Sequence, residues 1–140
     1  MAKIAWITPT SRVLSNENNR MVLDTPLTQI VLDVVQNNFT FYIAYGIIDL
    51  DMSKQNSLNI VIENESTNKP EKILDSTLTI EKNIAYTSDN VNEKDKYIEF
   101  ESSVILNNFK FSLEGIHRIT LTIDNNSMHS YFKVVTRGIE

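Results

Sequence analysis

Residues 115–135 read GIHRITLTIDNNSMHSYFKVV, and this stretch decides the fold class. Apolar and polar residues alternate on both sides of Asn125–Asn126, which is the pattern of two half-buried strands. Asparagine tolerates a positive φ angle, so Asn125–Asn126 is predicted to form a tight two-residue hairpin turn. In that register Ile123 faces Met128, and the apolar faces of the two strands coincide along most of their length.

Similar alternation recurs along most of the chain, in segments rich in β-branched and aromatic residues. Between Phe39 and Ile48, apolar or small residues occupy both the odd and the even positions, which is typical of a central strand covered on both faces. The alternation of strands and long helices that a parallel sheet needs does not occur. The sequence therefore predicts one all-β domain over residues 1–140, an antiparallel β-sandwich of about seven to nine strands with little helix. A barrel is the less favoured alternative.

A second tight hairpin is predicted at Asn37–Asn38. With this pair as the turn, Val34 faces Phe41, and the apolar faces again coincide. Residues 27–36 also carry apolar side chains at helical spacing, so a short helix is the alternative there. The match between the two faces favours the strand.

Asn107–Asn108 is a third candidate for such a turn, pairing Leu106 with Phe109. The turn signal at Glu114–Gly115 offers an alternative, in which residues 104–113 form one strand. The sequence leaves both arrangements open.

The end of the chain, from Glu114–Gly115 to Asp124 and then Tyr131–Val135, resembles the closing hairpin of immunoglobulin-like β-sandwich domains of bacteria and phages. In those domains a glycine turn leads into an alternating strand, a tight turn and a final strand. The resemblance implies architecture and no particular activity, because sandwiches host many functions. The Cys–Trp–Cys hallmark of true immunoglobulin domains is absent, since the chain has no cysteine.

Composition excludes several classes of protein. Without cysteine there are no disulfides, thiolate metal sites or cysteine nucleophiles. No apolar run reaches the roughly 18 residues of a membrane helix, and residues 1–9 lack the apolar core of a secretory signal, so we expect a cytoplasmic protein. The chain holds sixteen asparagines and seventeen isoleucines, whose codons are AT-rich, which suggests a low-GC bacterium or its phage.

Charge is concentrated in the middle of the chain. Residues 61–102 carry ten acidic and five basic side chains, an excess equal to the whole net charge of −5. Lys and Arg do not cluster, so direct nucleic-acid binding is not expected. The acidic segment is interpreted either as a solubilising face or as a contact for a basic partner.

Side chains that could support catalysis are scattered. His117 and His129 are predicted on opposite faces of the last hairpin, roughly 16 Å apart, so they cannot share a metal. His117 is expected at the edge of the core and His129 in solvent. Asp49–Asp51 and Asp89–Asp95 are interpreted as solvated loop acids, because they lack the order of a calcium-binding loop. We therefore expect no metal, no cofactor and no enzymatic activity.

Three aromatic residues are assigned to faces of the predicted sheets. Trp6, in an apolar first strand, is expected in the core. Tyr42 is predicted opposite Asp33 on the face away from Phe41, and Tyr131 on the polar face of the last strand. Exposed tyrosines could anchor a partner, although a loop or second sheet often covers such residues.

Two functional hypotheses follow. The first is a non-catalytic interaction protein, in particular a phage or mobile-element accessory that binds and inhibits a host defence protein. Its partner would be a protein of basic character, and homodimerisation through an edge strand is compatible with it. The residues expected to bind the partner are Glu93, Asp95, Glu99, Glu101, Tyr42 and Tyr131. The alternative is a small-ligand or carbohydrate-binding sandwich, or a small enzyme. Its pocket would lie between the sheets, lined by Tyr42, Tyr45 or Tyr86, with His117 or a carboxylate pointing in.

Overall fold

The chain folds into two β-sheets that face each other. A computed structural model describes residues 1–35, 37–83 and 93–137, except for the side chains of residues 93 and 94. The described strands are β1 (Lys3–Ser15), β2 (Met21–Pro26), β3 (Gln29–Leu32), β4 (Phe39–Asp51), β5 (Asn56–Asn64), β6 (Glu71–Ile80), β7 (Tyr97–Phe109), β8 (Gly115–Ile123) and β9 (Asn126–Thr136). One turn of 3-10 helix, Glu93–Lys96, precedes β7. The predicted all-β sandwich with little helix is confirmed.

The two sheets have different strand orders. The first sheet runs β2-β1-β4-β7 and is antiparallel throughout. The second runs β3-β9-β8-β5-β6, in which β3 and β9 are parallel and the other pairs antiparallel. The parallel pair departs from the predicted antiparallel arrangement, and the immunoglobulin-like connectivity stays a prediction. None of the described residues forms a helix long and apolar enough to cross a membrane.

The core lies between the sheets and consists of alternate side chains of their strands. Phe41 of β4 is fully buried, and its ring centroid lies 5.7 Å from that of Phe132 in β9 and 6.0 Å from that of Phe111. These rings join the first sheet to the second. Burying a side chain of this size stabilises the fold by roughly 1.5–3 kcal/mol.

The closing hairpin forms, but its register differs by two residues from the predicted one. Leu121, rather than Ile123, lies opposite Met128, and the turn falls at Asp124–Asn125. Asp124 adopts a positive φ of 51°, which a tight turn requires. The shift leaves every side chain on its predicted face, because side chains alternate with a period of two.

The predicted hairpin at Asn37–Asn38 is wrong, because the chain changes sheets there. Gln29–Leu32 form β3 beside β9, whereas Phe39–Asp51 form β4 between β1 and β7. Of residues 27–36, only the four of β3 are a strand, and no described residue among them is helical. Face matching could not reveal this change of sheet, because the inner faces of both sheets require the same apolar pattern.

The candidate hairpin at Asn107–Asn108 is also wrong, because β7 continues through both residues. Asn108 has a φ of 53° and the pairing with β4 shifts register here, so the strand carries a β-bulge instead of a turn. The Thr40 hydroxyl accepts a hydrogen bond from the Asn108 amide at 3.0 Å and donates one to Asn107 Oδ1 at 3.1 Å. The chain crosses to the second sheet only after β7 ends at Phe109.

Candidate functional site

A groove lies on the outer face of the first sheet, where Trp6, Gly46 and Glu101 stand side by side. Trp6 of β1 pairs with Gly46 of β4, and Gly46 pairs with Glu101 of β7. Neighbouring strands are about 4.8 Å apart. This row therefore places the indole of Trp6 and the carboxylate of Glu101 on the two sides of Gly46, which has no side chain. Gly46 is required there, because an added Cβ would overlap the indole of Trp6, with Cε2 only 2.8 Å away.

The prediction that Trp6 lies in the core is wrong, and a β-bulge is the reason. The register of β1 against β4 shifts between Ile4 and Trp6. As a result Ile4 and Ile7, three positions apart, both face the core with exposures of 1% and 8%. Trp6 is displaced to the outer face, where it is half-buried. A regular strand would not allow this, since residues three apart lie on opposite faces.

The hairpin formed by β1 and β2 folds back over this face. The tip of the hairpin reaches β7, because Arg20 Nη2 lies 3.6 Å from Glu101 Oε1. Met21 and Leu23 of β2 line a cavity of about 320 Å³ with Trp6 and Glu101. An adjoining cavity of about 310 Å³ has walls that include Arg20, Trp6 and Glu101. The groove therefore consists of two cavities that share the indole and one carboxylate.

Local hydrogen bonds fix the backbone of the hairpin. Arg12 Nε and Nη2 both donate to Asp24 Oδ2, at 2.9 and 2.5 Å, and these hydrogen bonds hold the pKa of Asp24 below its ordinary value. At the tip, Asn16 Oδ1 accepts hydrogen bonds from the amides of Asn18 and Arg20, each at 2.9 Å. This side chain closes the loop and sets the direction in which Arg20 leaves the backbone.

Two carboxylates give the groove its acidic character. Glu99 and Glu101 are two positions apart on β7, so both project from the outer face, about 7 Å from each other along the strand. Both residues line the cavity that contains Trp6, and Arg20 is the basic residue of the same lining. In the part of the chain that the structure describes, the groove therefore combines one indole and two acids with one cation, which the hairpin contributes.

The structure brings some of the predicted residues together and separates others. Glu99 and Glu101 lie in the groove. Tyr42 lies on the same outer face, four positions from Gly46 and thus about 13 Å along β4, where it is half-buried. Its neighbours are Thr10 and Ile105, so the predicted pairing with Asp33 is wrong.

The remaining predicted residues lie elsewhere. Asp95 is exposed in the 3-10 turn before β7, and the side chain of Glu93 lies outside the described residues. Tyr131 is half-exposed on the outer face of the second sheet, on the opposite side of the sandwich from the groove. It pairs with Arg118, which forms ion pairs with Glu63 at 3.2 Å and with the neighbouring Glu65 at 2.9 Å.

Two residues of the alternative pocket, His117 and Tyr45, are packed into the core. His117 is fully buried, with its ring 5.2 Å from Phe132 and 5.1 Å from Phe111. Its Nδ1 lies 2.9 Å from the carbonyl oxygen of Gly115, and burial lowers its pKa. Tyr45 is 3% exposed. Tyr86 lies outside the described residues.

Among the carboxylates considered as calcium ligands, Asp49 and Asp95 are exposed, whereas Asp51 is hydrogen-bonded within its own loop. Asp51 Oδ1 accepts hydrogen bonds from the backbone amide and the hydroxyl of Ser53, at 2.9 and 2.5 Å. Asp89 lies outside the described residues. Within residues 1–35, 37–83 and 93–137, no group of three or more histidine or carboxylate side chains is arranged to hold a metal ion.

Sequence reasoning missed most of the groove, namely the outer position of Trp6 together with Arg20, Gly46, Met21 and Leu23. One signal was present, because an isolated glycine inside a strand often marks a close approach of another group. Gly46 stands inside a largely apolar strand. No local pattern identified Trp6 as the approaching group, because the two residues meet only when β1 pairs with β4.

Comparisons with known proteins do not assign this chain to a family. No protein-family model matches the sequence, and no curated protein matches it. Among solved structures, a crystal structure of β-glucosidase from Listeria innocua in complex with glucose is similar with a TM-score of 0.49 and 10% identity. A second crystal structure of that enzyme is similar with a TM-score of 0.48 and 10% sequence identity. In both cases the match covers 99% of this chain and 17% of the enzyme.

Proposed function

We propose that this protein is a non-catalytic protein-binding domain, and that the groove on the outer face of the first sheet holds a basic segment of its partner. The observation that carries this proposal is the row of Trp6, Gly46 and Glu101, flanked by Glu99 and covered by the β1–β2 hairpin. Tryptophan is among the residues that most often dominate binding energy at protein interfaces. A concave site around an indole can bury a side chain of the partner.

The sign of the charge supports a basic partner. Glu99 and Glu101 contribute two carboxylates to the lining, and they end the acidic segment 61–102. Opposite charges on two surfaces accelerate their encounter and disfavour partners of the wrong sign. Because the carboxylates are exposed, dissolved salt screens their attraction, and binding should weaken as ionic strength rises.

The composition supports a more specific form of this function. The abundance of asparagine and isoleucine is typical of AT-rich genomes, and we propose a cytoplasmic accessory protein of a phage or mobile element. Such a protein would act by covering a basic surface of a host defence protein. Identification of the captured partner tests this part of the proposal separately from the groove itself.

The experiment is an affinity capture from the lysate of a low-GC bacterium, at low and at high salt. Three forms of the full chain are compared: the wild type, E99Q/E101Q and the control E71Q/E81Q. The control removes the same two charges from the region of β6 in the other sheet. We expect a basic protein to be captured at low salt by the wild type and the control, and to be lost from E99Q/E101Q.

Two results would overturn the proposal. One is a partner that E99Q/E101Q retains as well as the control does, since the groove would then not be its binding site. The other is the capture of no partner by a folded wild-type protein.

A further inference from the structure

The hairpin places a cation of this chain, Arg20, in the groove. Its Nη2 lies 3.6 Å from Glu101 Oε1, and it lines the same cavity as Trp6 and Glu99. We infer that Arg20 occupies the position of the partner's cationic side chain, a lysine or arginine, which must displace it to bind. This inference rests on the proposed function and names the chemical group that the groove accepts.

The lining of the groove fits a cation. An indole attracts a guanidinium or ammonium group to its face. Carboxylates nearby balance the positive charge of that group. The cavity that contains Trp6, Glu99 and Glu101 has a volume of about 310 Å³, within the range of ligand pockets. Among the described residues, displacement of Arg20 would leave two acids and no basic side chain in this lining.

Arg20 is held loosely, in contrast to the other arginine of the hairpin. The side chain of Arg20 is 73% exposed and that of Glu101 is 41% exposed. Their separation of 3.6 Å exceeds the 2.7–2.9 Å or so of a strong charged hydrogen bond. Arg12, by comparison, makes two hydrogen bonds to Asp24 at 2.9 and 2.5 Å. An exposed ion pair such as Arg20–Glu101 contributes little stability, so a second cation can compete with Arg20 for the carboxylate.

Displacement requires movement of a side chain and not of the hairpin backbone. The Arg20 amide is hydrogen-bonded to Asn16 Oδ1 at 2.9 Å, and the Asn16 amide donates to the Arg20 carbonyl at the same distance. These bonds close the loop whatever the rotamer of Arg20. The guanidinium can therefore leave Glu101 by rotation about its own side-chain bonds, while Met21 and Leu23 continue to line the neighbouring cavity.

The chain supplies both a probe signal and a matched control. Trp6 is the single tryptophan, so tryptophan fluorescence reports on the groove alone. Arg137 forms an ion pair with Asp33 at the same 3.6 Å, with side-chain exposures of 67% and 48%. This pair belongs to the region of β3 and β9 in the second sheet. R137Q therefore removes the same charge from an equivalent exposed pair outside the groove.

The test is a fluorescence titration of the wild type, R20Q, R137Q and E101Q with tri-arginine peptide, repeated in high salt. We expect R20Q to bind the peptide about two- to five-fold more tightly than R137Q does. This gain corresponds to the loss of one weak ion pair that competes with the peptide for Glu101. E101Q should bind more weakly than the wild type, and salt should weaken binding to every form.

Equal or weaker binding by R20Q than by R137Q would overturn the inference, and so would the absence of binding by both wild type and R20Q. The lysate capture fails or succeeds independently of this titration. A partner that is lost from E99Q/E101Q, together with no gain from R20Q, would leave the proposed function standing and remove the inference alone. A gain from R20Q, together with a partner that E99Q/E101Q retains, would remove the proposed function.

Discussion

The indole of Trp6 fills the space that a side chain on Gly46 would need. A Cβ at position 46 would lie 2.8 Å from Cε2 of the indole, which is closer than real Cβ atoms approach such a group. Trp6 and Gly46 are direct partners across β1 and β4, so the strand pairing itself places the indole beside the glycine. The groove therefore depends on the absence of a side chain at one position.

This relationship predicts the effect of an alanine at position 46. We expect G46A to lower the free energy of unfolding by about 1–3 kcal/mol, the usual cost of overpacking. In a W6A background the same substitution should be neutral or stabilising by roughly 0.4–1 kcal/mol, because alanine restricts the unfolded chain. Urea denaturation of the four proteins in this double-mutant cycle provides the measurement. Additive effects of the two substitutions would contradict the contact.

Stability should depend on the protonation of His117. Burial lowers its pKa below the ordinary 6.5, while the Gly115 carbonyl acts in the opposite direction. The unfolded chain therefore binds a proton at a higher pH than the folded protein. The stability that neutral His117 permits is complete above pH 6.5 and is lost progressively as the pH falls toward the lowered pKa of the folded state.

The measurement is the free energy of unfolding between pH 8 and pH 5, by urea denaturation at about 25 °C. H117F is the comparison, since phenylalanine keeps a ring between Phe111 and Phe132 but cannot be protonated. We expect the wild type to lose more stability than H117F on acidification. Parallel pH profiles of the two proteins would show that His117 is not responsible.

Asn126 connects the closing hairpin to the first strand. Its Oδ1 accepts a hydrogen bond from the Ile4 amide at 2.8 Å, across 122 residues of sequence. We expect N126A to lower the free energy of unfolding by about 0.5–1.5 kcal/mol, because the amide loses its partner. The exposed Asn38 supplies the control, and N38A should change stability by less than about 0.5 kcal/mol. Equal effects in thermal or urea unfolding would contradict a specific role for Asn126.

Self-association through β7 remains a prediction. This strand has 13 residues and pairs with β4 on one side, and the described residues place no strand on its other side. Ile105 on this strand is 49% exposed. We expect sedimentation equilibrium to show a mass that rises toward that of a dimer with concentration, and I105K to shift this rise to higher concentration, because lysine protects strand edges. The control is V34K, a lysine at an exposed site after β3, which should self-associate as the wild type does. A wild-type protein that is monomeric at every concentration would rule out the dimer.

Much of the sandwich could be predicted because side-chain alternation is a local property of the chain. The faces assigned to His117, Phe132 and Tyr131 are confirmed even though the register of their hairpin was two residues off. Asparagine pairs were a poorer guide. Of the three predicted turns, only the region of Asn125–Asn126 forms a hairpin, and there the positive φ falls on Asp124. Asn108 adopts its positive φ in a bulge instead, because asparagine tolerates that conformation outside turns as well.

The candidate site was only half predictable. Charge counting identified Glu99 and Glu101, because both lie in the acidic segment 61–102. Trp6 and Arg20 were missed, because a bulge reverses the face of the first and a folded hairpin brings the second to β7. Neither effect leaves a pattern in the neighbouring sequence.

The sequence by itself determined the all-β class and, where the strands are regular, the residues that face the core, since a period of two follows from the geometry of each strand alone. The tertiary structure decided which sheet each strand joins, and it alone placed Trp6, Gly46, Arg20 and Glu101 around one groove. The physical reason is that strand pairing depends on hydrogen bonds between distant backbone groups. Those bonds form equally well with any strand that presents an apolar face to the core, so local sequence cannot choose among them.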